Sequence, residues 1–192
     1  MINVLVTGSN GQLASCIKDR AKQHKGLHFI YTDYQELDIC NLNDVKKFFK
    51  TNKKIDYCIN CAAYTAVDKA ETEVEKAFEI NAKGVKNLAL VSDEQDAILI
   101  HVSTDFVFDG DKTEPYAETD IPKPISVYGA SKRQGEVEIQ KTLKRHFIIR
   151  TSWLYSEHGA NFMKTMLRLA ETRDEISVVS DQIGSPTYAG DL

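Results

Sequence analysis

No run of about 18 apolar residues occurs in the chain, so no membrane-spanning helix is expected. The opening residues, Met1–Val6, lack the basic flank and the length of a secretion signal and read directly as a strand. The cytoplasm is therefore the expected compartment. An excess of positive charge is also missing: 24 Lys and Arg face 28 Asp and Glu, a net charge of −4. That balance speaks against nucleic acid or an anionic membrane as a partner. Cysteine is scarce, with four residues in all. Cys58 and Cys61 spell C-x-x-C, but they fall in a predicted strand, where residues three apart point to opposite faces. No second such pair completes a zinc site. The five histidines, at 24, 28, 101, 146 and 158, show no paired ligand spacing, so no metal site is expected. His101 lies inside an apolar run and is expected to be a satisfied strand residue. Repeats, low-complexity stretches and linkers are absent too.

What remains is an ordinary soluble composition, 42% hydrophobic and 27% charged, with a length suited to one domain. Apolar periodicity predicts strands at Asn3–Thr7, Leu27–Asp33, Asp56–Cys61, Ala97–Ser103, Phe147–Tyr155 and Ile176–Ser180. Helices are predicted from Gln12 to about His24, around Val45, Phe48 and Phe49 with Asn43 as cap, and from about Asp68 to Asp93. The last of these is expected to break near Asn81 and Gly84. Two more run from Tyr128 to about Arg145 and over Phe162–Thr172, the latter capped by Asn161 with Phe162, Met166, Leu169 and Ala170 facing inward. Ala189–Leu192 reads as the start of another helix. Strand and helix alternate, which predicts an α/β fold: a doubly wound parallel sheet with helices on both faces.

Two stretches carry chemistry. Val127–Lys132 opens a helix, which sets Tyr128 and Lys132 one turn apart on one face. A phenol beside an ammonium is shifted toward the phenolate and can trade a proton near neutral pH. Gly8-Ser9-Asn10-Gly11 joins the first strand to the first helix. Gly8 suits a tight turn, Gly11 allows backbone to approach a pyrophosphate, and the helix start offers free N–H groups. Asp33, at the end of the second strand, can accept hydrogen bonds from an adenosine ribose and would repel a 2′-phosphate. Ligands of such sheets sit at the carboxyl ends of strands, where Cys61–Thr65, Ser103-Thr104-Asp105 and Thr151-Ser152-Trp153 also belong.

On these residues the chain resembles the extended short-chain dehydrogenase/reductases, which have a Rossmann fold. Within them it is most similar to the dTDP-4-dehydrorhamnose reductases. The matching stretches are Gly8–Leu13, Asn60–Glu71, Ser103–Gly110, Val127–Lys132, Arg150–Trp153 and Asp181–Thr187. The resemblance implies NADPH or NADH as cofactor, with Gly8, Gly11, Gln12 and Leu13 at the pyrophosphate and Asp33 at the ribose. Asp38 and Ile39 would flank adenine, and Ala62, Ala63, Tyr64 and Thr65 would line the cleft. Tyr128 would donate the proton, and Lys132 would hold the nicotinamide ribose. Thr104 would bond the sugar ketone, while Asp105 and Trp153 would contact a nucleotide-sugar substrate. Asn81 could serve a water relay to Lys132. The implied reaction is hydride transfer to the 4-keto group of a dTDP-6-deoxy-hexulose, giving dTDP-L-rhamnose.

The alternatives are a nucleotide-sugar epimerase and a non-catalytic regulatory subunit of the same fold. A 4,6-dehydratase is disfavoured, because Phe106 follows Asp105 where an acid pair is typical. Phe106 also replaces a common tyrosine. Ser15-Cys16 replaces a carboxylate that bridges subunits through a metal in some members, so a metal-linked pair is not expected, although a homodimer is possible. Members of the family run on for roughly another hundred residues, the size of a small domain. Residues 1–192 are therefore expected to form the dinucleotide-binding domain, with a small C-terminal substrate domain absent or only begun near 185–192.

Overall fold

The computed structural model describes residues 1–192. Five parallel strands form the sheet: β1 (Ile2–Thr7), β2 (Leu27–Thr32), β3 (Tyr57–Asn60), β4 (Ile98–Thr104) and β5 (His146–Thr151). Their order is β2-β1-β3-β4-β5, so the winding reverses between β1 and β3. That reversal opens a crevice at the carboxyl ends of both strands. The helices on the sheet are α1 (Gln12–Ala21), α2 (Leu42–Thr51), α5 (Val85–Glu94) and α6 (Val127–Thr142).

Strand alternation explains the layers. Leu5, Cys58 and Leu99 are register partners on one face, packed with Val45 and Phe49 of α2, Leu88 of α5 and Ile139 of α6. Val4 and Val6 point the other way and meet Ala14 and Ile17 of α1. Each fully buried aliphatic side chain contributes about 1.5–3 kcal/mol. The α/β class, the parallel sheet and helices on both faces agree with the sequence. No helix is long and apolar enough to cross a membrane.

The two thiols of C-x-x-C part as expected. Cys58 lies in the larger core, and Cys61 packs with the α1 side of the sheet. Burial pushes the Cys61 thiol up to about 12 and Cys58 higher still. An unfolded thiol ionises near pH ~8.5, whereas these hold their protons when folded. Their contribution is thus fully present below about pH 8.5 and is lost as pH rises toward the folded values. Urea midpoints of the protein should fall from about pH 8 to about pH 10, and Cys58→Ala should make that slope shallower. Equal slopes for the two proteins would refute this.

Several sequence expectations need correction. Asn41, not Asn43, caps α2, its side chain accepting from the N–H groups of Asn43 and Asp44. The helix expected from Asp68 to Asp93 comes in pieces: α3 (Val67–Ala70), α4 (Val74–Phe78), a π-helical segment Glu79–Gly84, and α5. The Glu71 carboxylate accepts from the Val127 N–H, anchoring the first gap to the start of α6. The π segment falls at Asn81 and Gly84, where a break was expected.

Phe147–Tyr155 is not one strand. Trp153 takes a left-handed conformation (φ 46°), and the chain leaves the main sheet there. β6 (Leu154–Tyr155) then pairs in parallel with β7 (Thr187–Tyr188) in a separate two-stranded sheet. Ile176–Ser180 forms no strand and pairs with nothing, and Val178 and Val179 are exposed. α7 (Phe162–Ala170) is capped by Asn161 as expected. Its predicted apolar face is only half covered: Met166 and Leu169 are partly buried, whereas Phe162 and Ala170 are exposed. Ala189–Leu192 forms a turn rather than a helix.

Candidate active site

A cleft of about 1250 Å³ runs along the carboxyl ends of the strands. At one end lies the glycine loop. Gly8 has φ 64°, and a Cβ there would sit 2.6 Å from the backbone nitrogen of Ala62, so only glycine fits between the two strand ends. Gly11 is the N-cap of α1 and provides no side-chain bond, and the first turn carries no acidic residue. The first N–H groups of α1 therefore face the cleft without side-chain partners, a ready anion site. A pyrophosphate suits this cradle.

Asp33 lines the same end. Its carboxylate accepts from the N–H groups of Asn10 (2.9 Å) and Tyr34 (2.8 Å), fixing the loop opposite Gly11. Gln12 also lines the cleft, but its amide turns aside, donating to the Leu154 carbonyl at 3.0 Å. Leu13, Asp38, Ile39, Ala62, Ala63 and Thr65 line the walls. Tyr64 does not. Its ring packs with Ala70, Ala77 and Tyr128, and its hydroxyl donates to Glu73 at 3.1 Å. The cause is Asn81, whose amide bonds both the N–H and the carbonyl of Tyr64 and turns that residue inward. Asn81 also donates to the Ser131 hydroxyl. It clamps the wall rather than reaching Lys132.

The other end holds Thr104, Asp105, Tyr128, Lys132 and Trp153. Ser126 caps α6 by accepting from the Gly129 N–H at 3.0 Å, which starts the helix just before Tyr128. Two glycines let α6 dock closely. A Cβ on Gly129 would lie 2.1 Å from the Phe106 carbonyl oxygen, and one on Gly135 would lie 2.2 Å from the Asn81 carbonyl oxygen. Glu136, buried in the same helix, accepts from Ser103 (2.7 Å), from Arg150 at both oxygens (2.9 and 2.7 Å), and from Arg133 (2.9 Å). Burial raises its pKa, but those donors outweigh burial and hold it low. Ser103 thus serves α6, and the hydroxyl that lines the cleft at the strand end is that of Thr104, which donates to Asp105 at 3.0 Å and accepts from the Phe106 N–H at 3.2 Å.

Tyr128 and Lys132 share a helix face, but burial, not the lysine, sets the direction of the phenol's pKa. Burial raises the Tyr128 pKa and nearby Asp105 adds to that, while the Thr104 hydroxyl works against them. Burial raises the Asp105 pKa as well, ahead of its hydrogen bonds from Thr104 and backbone. Lys132 points under the sheet edge. Its Nζ donates to the Val102 carbonyl at 2.7 Å and lies 3.3 Å from His101 Nε2. Burial pulls its pKa down to about 8, with Glu136 and Cys61 pulling back. The sequence expectation of a lowered tyrosine pKa is therefore corrected: burial of the phenol outweighs its neighbours.

A family model described as the RmlD substrate binding domain matches residues 2–192. The chain belongs to the RmlD substrate-binding domain family. Among RmlD relatives, a dTDP-4-dehydrorhamnose reductase of Aggregatibacter actinomycetemcomitans is 44% identical over the whole chain. The chain spans 65% of that relative's length. The dTDP-4-dehydrorhamnose reductase of Clostridium acetobutylicum superimposes with a TM-score of 0.95 at 46% identity, covering 99% of this chain and 67% of that one. The same enzyme of Bacillus anthracis, solved in complex with NADP, gives 0.95 at 45%, covering 100% and 68%. As an RmlD-family cleft, this one brings together every predicted site residue except Tyr64.

Other contacts escaped the sequence. His158 bonds Asp19 at 2.7 Å across 139 positions, with Glu157 beside them; this exposed cluster ties α1 to the loop before α7. Thr7, Asn60 and His101 form a buried polar row beneath Lys132. Their signal was visible: each is polar in a largely apolar strand, Thr7 and Asn60 at the last position and His101 at the middle of its run.

Proposed function

We propose that this chain forms the dinucleotide cleft and the proton-donating face of a dTDP-4-dehydrorhamnose reductase, using NADPH or NADH. The product would be dTDP-L-rhamnose. The observation that carries this is one continuous cleft with an uncapped α1 N-terminus at one end and Thr104, Tyr128 and Lys132 at the other. The dinucleotide supplies the hydride to the C4 ketone. Gly8, Gly11 and the first turn of α1 bind its pyrophosphate, and Asp33 accepts from the adenosine ribose. Thr104 orients the ketone oxygen, and Tyr128 gives that oxygen its proton as charge develops. A raised phenol pKa suits this role, because the donor then keeps its proton until the alkoxide forms. Lys132 holds the nicotinamide ribose. Asp105 and Trp153 contact the nucleotide-sugar; Trp153 is held in its left-handed conformation with Gly184 against its indole.

The test is dinucleotide binding followed by turnover. Fluorescence of NADPH and NADH should change saturably on adding the protein. Oxidation of the bound cofactor should then require a 4-keto dTDP-sugar. Binding without any ketone-dependent oxidation, in a chain of the relatives' full length, would overturn the reductase assignment. The 192 residues alone are expected to bind dinucleotide with little turnover, since Asp105 and Trp153 form only part of a substrate wall.

A further inference from the structure

The row beneath Lys132 has a direction. Asn60 Oδ1 accepts from the Thr7 hydroxyl at 2.6 Å and from the Ala62 backbone N–H at 3.2 Å. A backbone N–H can only donate, so the amide cannot be turned over without orphaning it. Asn60 Nδ2 therefore faces His101 Nδ1, at 3.0 Å, as donor. Nδ1 must then accept. His101 is fully buried and is held neutral, because burial and the neighbouring Lys132 both disfavour its charged form. Its single proton consequently sits on Nε2, which points at Lys132 Nζ, 3.3 Å away. A nitrogen that meets an N–H can accept only if it has a lone pair, and an ammonium has none.

We propose that Thr7, Asn60 and His101 act as a positioning device that fixes the Nε2–H tautomer of His101 and, by aiming that N–H at Lys132 Nζ, weakens the hold of Lys132 on its proton. As a neutral amine Lys132 donates to the Val102 carbonyl and accepts from His101; as an ammonium it keeps the first bond and loses the second. The surroundings of Lys132 are mixed. Burial disfavours its charged form, while Glu136 on its own helix and Cys61 after β3 favour it; the His101 N–H on β4 offers an ammonium no acceptor. For Tyr128, on the same face of α6, burial raises the pKa and Asp105 beside it adds to that, while the Thr104 hydroxyl opposes them. That Lys132 matters for turnover rests on the reductase assignment; its protonation state does not.

Two NMR measurements on the dinucleotide-free protein test this. Long-range proton–nitrogen spectra should show His101 with a bare Nδ1 and a protonated Nε2, unchanged between about pH 5 and 8. A protonated Nδ1, or a midpoint near the ordinary ~6.5, would overturn the proposal, and this arm needs no variant. The Lys132 Cε resonance, assigned by its loss in Lys132→Arg, should titrate near pH 8 rather than at the ordinary ~10.4. Asn60→Asp should accept from Nδ1–H, turn the Nε2 lone pair toward Lys132, and raise the Lys132 midpoint by about 1–3 units. A merely structural role for Asn60 would change stability without moving the tautomer. A wild-type lysine titrating at its ordinary value would also overturn the proposal. Neither measurement uses a dinucleotide or a ketone, so a failure of the reductase assignment leaves both standing.

Discussion

Tyr128→Phe is expected to lower ketone-dependent NADPH oxidation by about 10²–10⁴-fold, the usual contribution of a positioned general acid. Dinucleotide binding should survive. The phenol hydroxyl is the only group removed, and the ring keeps its edge contact with Phe106 and its place beside Tyr64 and Ala77. The glycine loop lies at the other end of the cleft and is untouched. The loss should appear in kcat and kcat/KM alike, because proton donation matters only as the alkoxide forms. Steady-state kinetics beside a fluorescence titration of NADPH separates the two effects. Undiminished turnover would remove Tyr128 from the mechanism, and lost dinucleotide binding would show that the variant had damaged the cleft instead.

Glu136→Ala should be the most damaging substitution away from the chemistry, costing about 3–5 kcal/mol. Glu136 is fully buried and receives four hydrogen bonds, from Ser103, Arg133 and both arms of Arg150. Removing it leaves Arg150 a half-buried cation with Phe108 beneath it and no counter-charge. A buried pair is weak evidence of net stability, but breaking one side of it is costly. Because its folded pKa is depressed, the contribution of Glu136 is present above the unfolded value of ~4.3 and lost as pH falls through the folded one. Urea denaturation at neutral pH reads the loss directly. A change below about 1 kcal/mol would mean that solvent replaces the carboxylate. Since α6 also carries Tyr128 and Lys132, the same variant should slow turnover even at temperatures where it stays folded.

The sheet and the cleft were legible because their signals are local. β1 and β4 show in the apolar runs and α6 in the helix opening at Val127–Lys132, and Gly8 and Gly11 mark the anion cradle where strand meets helix. The failures have physical causes. Periodicity could not show that Trp153 turns left-handed and ends β5, because a single dihedral decides it. The apolar pattern of α7 predicts a buried face, but burial needs a partner, and Phe162 and Leu167 have none within these residues. Tyr64 looked like a cleft residue by position, yet Asn81, 17 residues on, turns it inward. The lowered tyrosine pKa was a pairwise expectation; the structure adds the burial that reverses it.

Thr7, Asn60 and His101 stand directly opposite one another on three adjacent strands. Their apolar neighbours Leu5, Cys58 and Leu99 would pack nearly as well if one strand slid by two residues, since side-chain alternation is preserved. The polar row would not. A slide would strand a hydroxyl, an amide and an imidazole in the interior, each at a cost of about 1–3 kcal/mol. The row therefore favours the native register over a two-residue slide that hydrophobicity alone would accept.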